Sequence, residues 1–152
     1  MNSIHRQQGS ILLESLISFL IFAMGILGVI GLQATAINNT LDARYRTDAA
    51  FLANQIIAQM WIDPDTTTPT PSINSKYSCG LTKPACTTTS YANNNNWITQ
   101  IQSGFLPGVT DTANQPSIAI SGNQVTVTIN WASPQNGAVA HNYVTQTQIQ
   151  FN

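Results

Sequence analysis

Few residues in this chain have types and spacings that invite chemistry. Glu14 is the only charged residue between Ile11 and Leu32, a stretch otherwise built from Leu, Ile, Phe, Val, Met, Ala, Gly and Ser. An ionised carboxylate in hydrocarbon costs about 2.5–3.5 kcal/mol on insertion scales, so it must reach the interface or find a partner. Two readings follow. Either Glu14 sits one turn into a helix and complements its positive end at headgroup depth, or it is an assembly group awaiting a cation. Cys79 and Cys86 form the second pair of interest, seven apart in Cys79-Gly80-Leu81-Thr82-Lys83-Pro84-Ala85-Cys86. Two cysteines in a chain of exported composition point to a disulfide closing a small loop. The alternative, a metal site, lacks the spacing of two to four and any second Cys or His pair. The histidines are His5 and His141, and no nucleophile elbow, zinc-protease helix or phosphate loop is present. His141 is expected at a strand edge and not as a base, so neither an enzyme nor a cofactor is expected.

These residues must be positioned by something. From Ile11 to Leu32 the apolar run makes a helix of about 33 Å, enough to cross a hydrocarbon core of about 30 Å. It follows a short polar leader, Met1 to Gly9, and no small-residue cleavage site closes it, so the run is expected to remain in the mature protein. No proline interrupts the chain before Pro64. Leu41, Tyr45, Ala49, Leu52, Ile56 and Met60 then fall at spacings of three and four, with Asp42, Arg46, Gln55 and Gln59 expected opposite. The pattern predicts one helix from about Ile11 to Ile62, about 78 Å long, apolar all round in its first half and amphipathic in its second. Gly25, Gly28 and Gly31 recur every three residues. They are either a close-packing or unwinding stretch or the ordinary glycine of membrane helices.

Asp63 to Ser75 reads as an aperiodic linker in which Asp63 and Asp65 are turn residues and not calcium ligands. Asn93 to Asn96 caps a short second helix carrying Trp97 and Ile101 and closing at Gly104, and a turn follows at Phe105-Leu106-Pro107-Gly108. Beyond it the period changes to two. Ile118 and Ile120, then Val125, Val127, Ile129 and Trp131, alternate with polar residues around a Gly122-Asn123 hairpin turn. After a loop with Pro134 and Gly137, a last strand places Tyr143, Thr145, Thr147, Ile149 and Phe151 on one face. The fold class is therefore α+β: a long helix whose stripe covers one face of a small antiparallel sheet. With 152 residues there is room for one domain beside the apolar run, and 7% charged residues with five Lys plus Arg disfavour a nucleic-acid partner.

Gly9-Ser10-Ile11-Leu12-Leu13-Glu14 ahead of that apolar run resembles the class III signal of type IV prepilins. The resemblance implies cleavage between Gly9 and Ser10 by a prepilin peptidase and N-methylation at Ser10, where the family more often has Phe or Met. It also implies that Glu14, fifth in the mature chain, pairs with a neighbouring subunit's terminal amine. The Trp97 helix, Leu106-Pro107-Gly108 and the strand ending Ile129-Asn130-Trp131 are similar to the PilV kind of minor pilin. Val109 departs from that pattern where a second glycine is common, and so does Ala132-Ser133 where an acidic residue often follows. The implied organisation is a leader (1–9), a membrane and polymerisation half of the helix (10–33) and a periplasmic pilin domain (34–152). The implied partners are the peptidase, other minor and major pilins and the inner membrane; the implied destination is a surface fibre used in twitching motility or adhesion. Orientation rests on the family, since Arg6 lies on one side of the run and Arg44 and Arg46 on the other. Alternatives are a minor pseudopilin of a type II secretion system, an adhesive tip subunit, and a plain anchored periplasmic protein.

Overall fold

The computed structural model describes residues 8–67, 70, 72–80, 86, 91–109, 114–134 and 139–151. Residues 1–7 of the expected leader, with Arg6 and His5, the interior of the cysteine loop (81–85) and most of the loop holding Gly137 lie outside the described residues. Helix α1 runs Gln8–Ile62, three residues earlier than its apolar pattern begins and ending, as expected, just before Pro64. It is unbroken through Gly25, Gly28 and Gly31. The chain divides into two compact units, Met1–Leu41 and Asp42–Asn152.

In the first unit the helix is exposed on every side. Its large apolar residues from Ile11 to Leu32 are between 44 and 74% exposed. No atom lies near the place a Cβ would take at any of the three glycines. This is the only described helix long and apolar enough to cross a membrane.

The second unit is α+β. It holds the C-terminal part of α1, a short 3-10 turn at Ser75–Tyr77, helix α2 (Ala92–Gln100) and strands β1 (Ser117–Ser121), β2 (Gln124–Ser133) and β3 (Val139–Gln148). The sheet is antiparallel in the order β1-β2-β3. Its first hairpin turns at Gly122-Asn123, with Ser121 opposite Gln124 and Gly122 at φ 58°. Alternation works as period two demands: Ile118, Val125, Val127, Ile129 and Trp131 are fully buried, and their polar neighbours face outward. On the helix Ala49, Leu52, Ile56 and Met60 are fully buried against them, with Tyr45 partly so.

The stripe is wider than the sequence pattern. Ala53 and Ile57 are buried too, and Asp42, Gln55 and Gln59, expected to face outward, are only half exposed. Loops and α2 flank the sheet, so a broader arc of the helix is covered than a sheet alone would cover. The outward face carries Phe51, Asn54, Ala58 and Ile62 instead. A second correction concerns the asparagine run. α2 begins at Ala92 with Tyr91 at its cap and no side-chain cap bond, so the asparagines lie inside the helix. Their amides are engaged elsewhere, as described below. After Gln100 the helix loosens into a π-type turn over Ile101–Phe105, broken within by Gly104, whose φ of 119° suits glycine.

Candidate functional site

Gly9, Ser10 and Glu14 all lie on α1, near the beginning of its described part. Glu14 shares a shallow open face with Ile11, Ser15, Ser18, Phe19 and Phe22. Ser15 turns its hydroxyl back onto its own helix, Oγ donating to the Ile11 carbonyl at 2.9 Å. Among the described residues no hydrogen bond or ion pair reaches the Glu14 carboxylate. The arrangement is a carboxylate on an apolar helical surface, able to accept hydrogen bonds or a cation from outside the unit.

In the second unit the sequence-predicted disulfide is formed: Cys79 and Cys86 are bonded with Cα atoms 4.9 Å apart. Cys79 is fixed twice more. Its backbone exchanges two hydrogen bonds with Ile118 of β1, at 3.1 and 2.8 Å, and Asn94 Nδ2 lies 3.8 Å from its sulfur. The same Asn94 amide donates to the carbonyls of Lys76 and Tyr77 at 3.3 and 3.2 Å. Gly80 allows the close approach, since a Cβ there would stand 2.8 Å from Ser117 Cβ.

The sequence reading missed the acceptor at the end of α1. Asp63 is more than a turn residue: its Oδ2 accepts from Tyr77 Oη at 2.9 Å, from Asn93 Nδ2 at 3.0 Å and from Tyr91 Oη. The Tyr91 bond chiefly holds the Asp63 carboxyl below the usual carboxylate range; burial opposes this, and Tyr77, Asn93 and the Lys76 charge assist. Burial pushes both tyrosine hydroxyls above the ordinary phenol value, with Asp63 contributing. The rings meet edge to face at 4.9 Å. This knot ties two segments distant in sequence, the turn at Tyr77 and the start of α2, to the helix end. Only the tandem asparagines hinted at it, and they read as a cap. Asp65 does behave as a turn residue, accepting from the Thr67 amide and hydroxyl at 2.9 and 2.7 Å.

His141 lies on edge strand β3, as expected, but its ring turns inward. It stacks on Trp131 with centroids 5.8 Å apart, and Nδ1 is 3.8 Å from Asp42 Oδ1. Asp42 Oδ2 accepts from Arg46 Nε at 3.0 Å. No group of three or more His, Cys, Asp or Glu side chains gathers for a metal among the described residues.

Glu14 and the cysteines thus belong to different units and do different things, one on an apolar surface and the other inside a polar and disulfide-bonded framework. Comparison with protein-family models, with curated proteins and with solved structures finds no match for this chain.

Proposed function

We propose that this chain is a minor pilin of a type IV pilus. A prepilin peptidase cuts between Gly9 and Ser10 and the new amine is methylated. The apolar half of α1 holds the protein in the inner membrane with the α+β unit in the periplasm, and then packs among the helices of other pilins. There Glu14 accepts the terminal amine of a neighbour, and the α+β unit starts or modifies the fibre. The observation that carries this reading is a single lone carboxylate, five residues past Gly9, on a helix that is apolar and exposed all round and continues into the core helix of an α+β unit. A buried carboxylate that will be desolvated needs a charged partner, and a membrane full of identical termini supplies one. The disulfide supports an oxidising compartment for the second unit.

The test is the N-terminal mass of this protein recovered from sheared surface fibres. A chain starting at Ser10, with or without one methyl, supports processing and fibre membership together. A processed chain found only in membranes, with enzyme secretion lost and fibres intact on gene deletion, would move the assignment to a type II secretion pseudopilin. Retention of residues 1–9 would overturn the reading in favour of a plain anchor.

A further inference from the structure

The two edges of the sheet are finished differently. β1 is five residues long, and its outer edge is met by the backbone of Cys79, which the disulfide holds in place. β3 is ten residues long, and among the described residues no backbone segment pairs with its outer edge. Edge strands are usually guarded by charge, proline, a bulge or brevity, because a row of free N–H and C=O groups will template another strand. β3 has none of these guards. Its register with β2 runs without a break from Gln124↔Gln148 to Ser133↔Val139. No Asp, Glu, Lys or Arg occurs anywhere from Thr112 to Asn152, and β3 contains no proline. His141, the strand's one histidine, is turned in against Trp131.

We propose that the outer edge of β3 is a strand-addition surface, and that its occupant is β3 of a second copy of this chain, paired antiparallel about a two-fold axis at Val144. Two three-stranded sheets then become one of six strands. The strand's own sequence names this occupant. With the axis at Val144, the outward face sets Val144 against its own copy, Asn142 against Gln146 and Ala140 against Gln148, while the inner face sets Tyr143 against Thr145. Val144 is 53% exposed in the single chain, and Asn142, Gln146 and Gln148 are exposed around it. Paired this way, the apolar side chain loses water to an apolar one, and each Asn–Gln pair offers donors and acceptors to both sides. Moving the axis by one residue, to Tyr143 or Thr145, puts Val144 opposite an amide instead. An isologous pairing closes at two copies, so this edge yields a dimer and not an open fibre. The proposal does not depend on the pilus assignment.

The experiment uses the full chain in detergent micelles. In the proposed register the Cα atoms of the two Val144 residues lie roughly 4.5–5.5 Å apart, within disulfide reach. Val144→Cys should form a covalent dimer under mild oxidation. The two copies of Gln148 would be about 27 Å apart, so Gln148→Cys should give at least roughly tenfold less. Register is then tested with charge in the Val144→Cys background. Asn142→Lys with Gln146→Lys sets like charges opposite each other and should abolish the cross-link, whereas Asn142→Lys with Gln146→Glu should retain it. All these positions are exposed, and thermal unfolding checks that the variants fold. Equal cross-linking of Val144→Cys and Gln148→Cys would overturn the proposal, as would equal cross-linking of the two charge variants. A Val144→Cys adduct in native membranes to a different protein would replace the second copy with another partner and equally overturn it.

Discussion

Replacing Asp63 by alanine removes the acceptor that closes α1 onto the loop and α2. Hydrogen bonds to a charged group contribute about 1.5–3 kcal/mol each, which for three bonds would overstate the loss. Tyr91 and Asn93 are half exposed, so water replaces the carboxylate for both. Tyr77 is fully buried, and its hydroxyl proton loses its acceptor. The expected cost is about 2 kcal/mol, mostly from Tyr77. For a unit of this size that lowers Tm by about 6–10 °C. The assay is thermal unfolding of the full chain in detergent, followed by near-UV circular dichroism of its tyrosines and tryptophans. A carboxyl held below its ordinary value stabilises fully above the unfolded-state value, near pH 4, and that contribution is lost as pH falls through the lowered one. The gap between wild type and Asp63→Ala should therefore be constant from roughly pH 5 to 8 and close below about pH 4. Asp65, also held below its ordinary value by Thr67, is common to both proteins and cancels. A gap under about 2 °C at pH 7, or one of full size at pH 2.5, would refute the assignment of the knot to the charged carboxylate.

Replacing Cys79 and Cys86 together by alanine should destabilise the second unit by about 2.5 kcal/mol on the loop-entropy account, read by denaturant midpoint at unchanged slope. Gly108 combines φ 71° with a Cβ position 2.9 Å from Ala132 Cβ. Gly108→Ala should cost about 2 kcal/mol, and adding Ala132→Gly should recover only the steric part, since the backbone strain stays. Glu14→Ala should leave the protein in the membrane fraction but lower its content in sheared fibres several-fold; unchanged fibre content would refute the pairing role. Neither helix length nor thermal stability of the second unit should move in that variant.

The fold was legible wherever period and punctuation were strong. The apolar run, the Leu52-Ile56-Met60 stripe, the Gly122-Asn123 hairpin and the Val125-Val127-Ile129-Trp131 alternation each repeat a local rule over many residues, and the structure follows them. The cysteine pair was legible because composition and count left few uses for it. What could not be read were contacts between segments far apart. Asp63 looks like any aspartate before a turn until Tyr77, Tyr91 and Asn93 fold onto it. The asparagine run looked like a cap because side-chain amides suit caps; here those amides meet Asp63, Tyr77 and backbone carbonyls. Glu14 stands apart: its oddity is plain in sequence, and among the described residues nothing in the fold answers it.

Trp61, one residue before the end of α1, meets Phe151 edge to face at 6.0 Å, and fully buried Ile149 is tied by its amide to the Asn123 carbonyl. The surfaces that shield the helix stripe are thus contributed by the latest part of the chain. During synthesis Leu52, Ile56 and Met60 emerge long before the strands that cover them, and nearly the whole unit must be made before the core can close. Such distant closure is slow, and the interval leaves an apolar helical stripe bare in a nascent protein. A waiting stripe of that kind is a substrate for holding chaperones or for a nearby lipid surface, so the yield of folded protein should depend on them most when synthesis is fast.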